Sequence, residues 1–378
     1  MKWYALVHPG FEDAFLHEAV SLLPTSSPTK EGAGVVTGTL HQPEDFITLL
    51  QYSHLVRRLL IGVSSTFSLG IANETEEENP LPTPTKVLFP PSFPWPQFFT
   101  NTRSFRVEVE GVPGQENRLE IAKHVAGALY AQFTIHNITP PLELRNSQQF
   151  FIVYFDGEKY FMGIDLLAKE LDARDYRLFA HAASFKGDSQ AFFLSFLKYQ
   201  PNQKLLVGFA KDGSAAIEAA MFANKYPLYL GSHSLCQALL TLPYFTSCKF
   251  SPSPTTLPHE VFTFDETNGN LLSIRKNATL AGVASAIHAR KQSIEDLDVA
   301  YGDAFFDSML LHLTRKDEEK LNEIYYQSAI ILKPKGKLLI ISRSTLDLPV
   351  PDKFTLLEQR TLERGQSLHT LTLLERKA

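Results

Sequence analysis

The stretch LLVGFAKDGSAAIEAA, Leu205 to Ala220, joins an apolar run, a short loop and a small-residue run without a break. Leu205, Leu206 and Val207 read as a buried strand, and Ala215 to Met221 as a helix whose alanine-rich face sits close against a sheet. Such a strand-loop-helix opens a doubly wound nucleotide fold, in which the loop and the exposed N–H groups of the helix start face the ligand. Only Gly213 stands where loops of this kind carry two or three glycines.

Downstream, Val261 to Phe264 reads as the second strand, closed by Asp265, with a helix over Leu271 to Leu280. A carboxylate there accepts two ribose hydroxyls or caps the helix. The Gly213 to Asp265 spacing far exceeds the roughly 20 residues of a compact dinucleotide fingerprint, so an insertion lies between them. Short apolar runs at 297–300 and 306–311, a helix over 318–332, and strands in LKPKGKLLIIS, FTLLEQ and HTLTLLE follow. Alternating strand and helix patterns imply a mostly parallel sheet, and the last two strands, turning at Glu363 to Gln366, add an antiparallel edge.

Upstream, residues 1 to 70 alternate strands with an amphipathic helix (Phe11, Phe15, Ala19, Leu22) and a helix opening at Pro43. Arg57 and Arg58 read either as a solvated strand edge or helix end, or as a phosphate contact. From Ile71 to Thr100 an acidic run and then dense prolines exclude helix interior and central strand, which reads as a stiff linker and a domain boundary. SFRVEVEG is a half-buried strand, and a helix over 116–132 groups Leu119, Ala122, Ala126, Leu129 and Tyr130 near one face. FFIVYFDGEKYFMGID is a hairpin turning at Asp156-Gly157. Residues 166 to 188 bridge to the opening stretch. Arg174, Arg177 and Lys186 lie there beside Asp172 and Asp175, as surface ion pairs worth under about 1 kcal/mol each or as phosphate contacts beside a cleft.

A chain of 378 residues forms two or three domains. Cys236 and Cys248 supply neither a disulfide framework nor metal-ligand spacing, and the 12 histidines form no metal-binding pair, so no metal is expected. With too few apolar residues near the start for a signal peptide or membrane span, the expectation is a cytoplasmic protein with no membrane partner. A net charge of -5 leaves any nucleic-acid binding to local basic patches.

Five ordered segments resemble the THUMP-domain RNA methyltransferases that modify guanine N2 in tRNA or rRNA. Phe105 to Asp165 is similar to a THUMP domain, ARDYRLF (173–179) to the RxYR-type junction, and HAASFKGD (181–188) to HPxSLKGD. LLVGFAKDGSAAIEAA resembles LLDPFCGDGTIxIEAA, and FDETNGNLLSIRKNATLAGV (264–283) resembles the next strand and helix. The resemblance implies a multidomain α/β and α+β chain. Its parts are an N-terminal ferredoxin-like α+β region (1–70), a linker (71–100), a THUMP-like RNA-binding domain (101–168), a junction (169–190) and a C-terminal Rossmann-type methyltransferase domain (191–378).

It further implies S-adenosylmethionine over Phe209, Asp212, Gly213 and Asp265, RNA held by Arg174, Arg177 and Lys186, and a flipped guanine in an Asn-Pro-Pro-Tyr pocket. The chain departs from the family at the chemistry. Val207, Gly208, Ala210 and Lys211 replace an acid, a proline, a cysteine and a glycine, and Ser293 falls near the adenine-contacting acid. His312-Leu313-Thr314-Arg315 stands in place of Asn-Pro-Pro-Tyr. The implied function is an RNA-binding protein, on tRNA above all, with a degraded site: a weak enzyme, or a pseudoenzyme partnering an active subunit. A working methyltransferase with a non-standard site is the alternative, and a scaffold that has also lost RNA a third.

Overall fold

Runs of aliphatic and aromatic residues build the sheet cores in both halves of the chain, as in Val35-Val36, Leu59-Leu60-Ile61, Phe151-Ile152-Val153 and Leu338-Leu339-Ile340-Ile341, each residue under 2% exposed. The structure, a computed structural model, describes all residues except 64–65, 72–81, 91, 231–232, 314–317, 345–347 and 365–366. It divides into two units, Met1–Leu171 with Tyr229–Pro252, and Asp172–Leu228 with Ser253–Ala378.

In the first unit, β1 (Lys2–Leu6), β2 (Thr29–Gly32), β3 (Val35–Thr39) and β4 (Arg58–Gly62) share one sheet with three later strands, and β5 (Thr66–Ile71) pairs with β6 (Pro82–Leu88) as a separate ribbon. The later strands are β7 (Phe105–Glu110), β8 (Gln149–Phe155) and β9 (Tyr160–Asp165), giving the order β2-β3-β1-β4-β9-β8-β7. β7 and β8 run parallel and the other pairs antiparallel.

The proline-rich stretch is not a bare spacer. Beyond the ribbon, Trp95, Phe98 and Phe99 are fully buried, with Trp95 against Phe89, Phe93, Phe99, Phe133 and Phe151. The prolines at 82 and 84 are accommodated in the two-stranded ribbon, and the aromatic rings that follow carry enough apolar area to make the segment core. Its acidic run lies outside the described residues.

The helix Gln115–Ile135 buries Ile121, Val125, Leu129 and Phe133, a strict four-residue repeat, and leaves Leu119 and Tyr130 exposed. The buried face is therefore rotated from the expected one, since the bulkier β-branched and aromatic stripe wins the core. The hairpin turn sits one residue later than expected, on Gly157-Glu158, because the Asp156 amide bonds the Lys159 carbonyl while its carboxylate accepts the amides of Glu158 and Lys159.

Arg57 and Arg58 are not on a solvated edge. β4 lies between β1 and β9, and the guanidinium of Arg58 reaches Asp165 (2.8 Å) and Glu110 (2.6 Å) while Arg57 reaches Glu110 (2.6 Å) and Glu170 (3.0 Å). Arg103 is buried among carbonyls, donating to Ala238 O (2.9 Å), Gln148 O (3.2 Å) and Leu166 O. It thereby ties residues 229–252 to the sheet of its own unit.

The second unit holds β10 (Leu205–Gly208), β11 (Val261–Asp265), β12 (Ile287–Lys291), β13 (Phe306–His312), β14 (Leu332–Arg343), β15 (Phe354–Arg364) and β16 (Ser367–Arg376). Their order is β12-β11-β10-β13-β14-β16-β15. β10 to β14 pair in parallel, and β16 is antiparallel to both neighbours. The helix Ser214–Ala223 is buried almost throughout, as its alanines predict. The long Gly213 to Asp265 gap is accounted for because residues 229–252 belong to the first unit. Among the described residues no helix is long and apolar enough to cross a membrane.

Candidate cofactor crevice

The chain runs β10, β11, β12 towards one edge of the second sheet, then returns to β13 on the other side of β10. A doubly wound sheet opens its ligand crevice at that reversal, beyond the carboxyl ends of the strands. The loop after β10 and the end of β13 therefore define the place to look.

Phe209 and Lys211 adopt left-handed φ of 52° and 56°, and Gly213 follows at 82°. Gly213 takes this conformation freely, and a Cβ there would meet Ile274 at 3.1 Å. Lysine does not take it freely, and such strain persists only where surroundings fix it. Lys211 is 8% exposed; its amide donates to Asp265 Oδ2 (3.0 Å) and its Nζ lies 2.6 Å from His312 Nδ1. An ammonium only donates, so the ring accepts at Nδ1. The link crosses the crevice from the β10 loop to the end of β13. His312 also packs on Phe185, whose ring meets His369.

The acids expected to meet a cofactor face inward. Asp212, its side chain wholly buried, accepts Arg177 Nε (2.8 Å) and the His181 amide (3.1 Å) on Oδ2, and the Ser214 hydroxyl (2.8 Å) and amide (3.2 Å) on Oδ1. Burial alone would raise this carboxyl, but Arg177 and those hydrogen bonds hold it below its ordinary value. Asp265, 5% exposed, accepts Lys211 N on one oxygen and Thr267 N, Thr267 Oγ1 and Asn270 Nδ2 on the other. It thereby fixes Thr267, whose own hydroxyl caps the helix Asn268–Leu280 by accepting Asn270 N at 3.2 Å, so the N-cap expected of Asp265 falls to Thr267. Phe209 packs on Phe264 and beneath Lys320 Nζ, 4.5 Å from its ring.

The junction cations are likewise engaged. Arg174 is buried and forks onto Glu218 at 2.8 and 3.2 Å, joined by the Tyr176 hydroxyl at 2.8 Å. Burial and the Glu218 charge push the Tyr176 phenol far up, so it stays a donor. Lys186 pairs with Asp172 at 2.8 Å. Asn277, missed in the sequence, bonds both Phe179 backbone groups and the Asp212 carbonyl.

Beside the crevice lies a cleft of about 820 Å³ lined by Glu266, Lys291, Gln292, Ser293, Glu295, Asp296, Glu319, Lys320 and Glu323. Five of these are acidic and two basic. Lys320 Nζ spans it to Glu266, 2.8 Å from each oxygen.

TrmN from Thermus thermophilus aligns over 100% of both chains with a TM-score of 0.69 at 21% identity. The second unit is a Rossmann-type methyltransferase fold. The putative methyltransferase SMU.472, solved with SAH, covers 98% of this chain and 97% of its own, with a TM-score of 0.67 at 14% identity. The ribosomal RNA large subunit methyltransferase K/L of Photobacterium profundum is 26% identical over 219 residues, 55% of this chain. The match spans 31% of that protein, under a third of its length. No protein-family model matches the chain.

The residues present do not fit S-adenosylmethionine, the cofactor such a fold implies. A sulfonium would meet the Lys211 cation in a crevice already bridged to His312, and the acids that would bind the amino-acid and ribose ends carry four internal hydrogen bonds each.

Proposed function

We propose that this chain is an RNA-binding protein of the THUMP methyltransferase type, related to guanine-N2 enzymes of tRNA or rRNA, whose methyl-transfer site has decayed, so that it acts as a pseudoenzyme or as the partner of an active subunit. The Lys211–His312 link carries the reading. It fills the switch-point crevice with a cation where a cationic methyl donor would lie, and it uses the side chain standing where Asn-Pro-Pro-Tyr would hold a base. RNA as the ligand is supported by the resemblance to a ribosomal RNA methyltransferase.

Titration with S-adenosylmethionine by calorimetry tests it. The wild type gives no heat at micromolar to millimolar cofactor, whereas Lys211→Gly, relieving both the strained φ and the charge, recovers measurable binding. Micromolar binding by the wild type overturns the decayed-site reading. A specific observation then favours a working enzyme with a non-standard site: the acid-lined cleft beside β11 and β12 suits a cationic ligand.

A further inference from the structure

Arg174, Arg177 and Lys186 of the junction each pair with a carboxylate of their own unit, which leaves an anion-binding surface to other cations. On the second unit, Arg275 of the helix Asn268–Leu280 and Arg290 of β12 are exposed, and among the described residues neither is ion-paired.

β12 is the edge strand of its sheet, and a notch of about 350 Å³ opens there, lined by Arg275, Ala284, Ile287, His288, Ala289 and Arg290. Arg275 Nη2 donates to Ala289 O at 3.4 Å, holding one guanidinium at the rim. Arg290 lies 5.5 Å over the Tyr301 ring. Glu260 Oε1 lies 2.8 Å from Nε2 of His288, which also lines the notch. Two arginines line one small cavity, and a guanidinium has the planar, bidentate geometry that recognises phosphate oxygens.

We propose that this notch binds a phosphate of an RNA backbone. The inference rests on the RNA-binding reading above. Carboxylates of the neighbouring cleft, which Lys291 also lines, repel a polyanion and so direct the strand along the β12 edge rather than into the crevice.

The test is retardation of a tRNA transcript by the full chain across a salt series, for the wild type, Arg275→Gln/Arg290→Gln, and a charge-matched control at exposed sites elsewhere on the unit, Lys225→Gln/Lys353→Gln. Losing the one phosphate that the notch holds lowers the slope of log affinity against log salt by about 0.7, so the wild-type advantage over the arginine variant shrinks about 2.6-fold from about 50 to about 200 mM salt. The control keeps the wild-type slope. An arginine variant with unchanged slope and affinity, or a control that loses as much, overturns the notch while leaving RNA binding intact. A wild type that retards no RNA even at low salt overturns both.

Discussion

Arg174→Met tests whether the junction motif serves the interior or a ligand. In the wild type the Glu218 side chain is fully buried and takes a bidentate pair from Arg174 at 2.8 and 3.2 Å. Methionine keeps the apolar stem and removes the charge, leaving a buried carboxylate without its countercharge. Breaking such a pair from one side costs about 3–5 kcal/mol. Protonation caps the loss: at pH 7, neutralising a glutamate of ordinary pKa about 4.3 across about 2.7 pH units costs about 4 kcal/mol, and at pH 5 about 1 kcal/mol. In the variant the folded state holds that proton more tightly than the unfolded chain, so the destabilisation is small below about pH 4.3 and grows as pH rises. Urea unfolding at the two pH values should therefore show a loss several times larger at pH 7. The double change Arg174→Met/Glu218→Leu should recover most of it, since apolar replacement of a buried pair is often neutral or stabilising. A loss below about 1 kcal/mol at pH 7, or equal losses at both pH values, would refute the reasoning.

Three further outcomes follow from other buried groups. Arg103→Met strips the donor from the carbonyls of Gln148, Leu166 and Ala238, and at about 1–3 kcal/mol for each unsatisfied group it should lower the unfolding free energy of the first unit, measured in urea, by several kcal/mol. The Cys248 thiol, pushed up to about 12 by burial and by Glu44, should resist a thiol-reactive disulfide reagent at pH 8 and react only in urea; prompt labelling of the native protein contradicts its placement. Asp212 sits below its ordinary 3.8 in the fold, so its stabilisation is present above about pH 4 and lost as pH falls through the folded value; Asp212→Asn should flatten the acid limb of a stability–pH curve, and an unchanged limb counts against the Arg177 pairing.

The parallel core was legible where its strands are short apolar runs, and Leu205–Gly208, Val261–Asp265 and Phe306–His312 fall where the pattern puts them, but β12 (IHARK) carries no such run and went unread. The failures have a common cause. Prolines announce what a backbone cannot be, and arginines announce a charge, but neither tells what surrounds them. Trp95 became core and Arg58 a central-strand cation because partners distant in sequence, Phe151 and Asp165, meet them through sheet order. The Lys211–His312 link was hidden for the same reason: it requires β10 and β13 to be neighbours, with Gly208 opposite Leu311. The doubly wound order itself could have signalled it, since it sets the residues after the first and fourth strands side by side.

Retained motif residues are therefore weak evidence for a retained ligand. Asp212 and Asp265 stand at the positions where the resemblance expects them, yet every hydrogen bond found on their carboxylates comes from the unit's own groups. Those bonds order the loop and the start of the helix Asn268–Leu280, which is work the fold needs with or without a cofactor. Selection for stability alone would keep both acids. It would not keep a glycine at 211, where the left-handed backbone tolerates lysine once Asp265 and His312 hold both of its ends. The substituted position, rather than the retained acids, separates a scaffold from a catalyst, and Lys211→Gly is the variant in which that separation is measured.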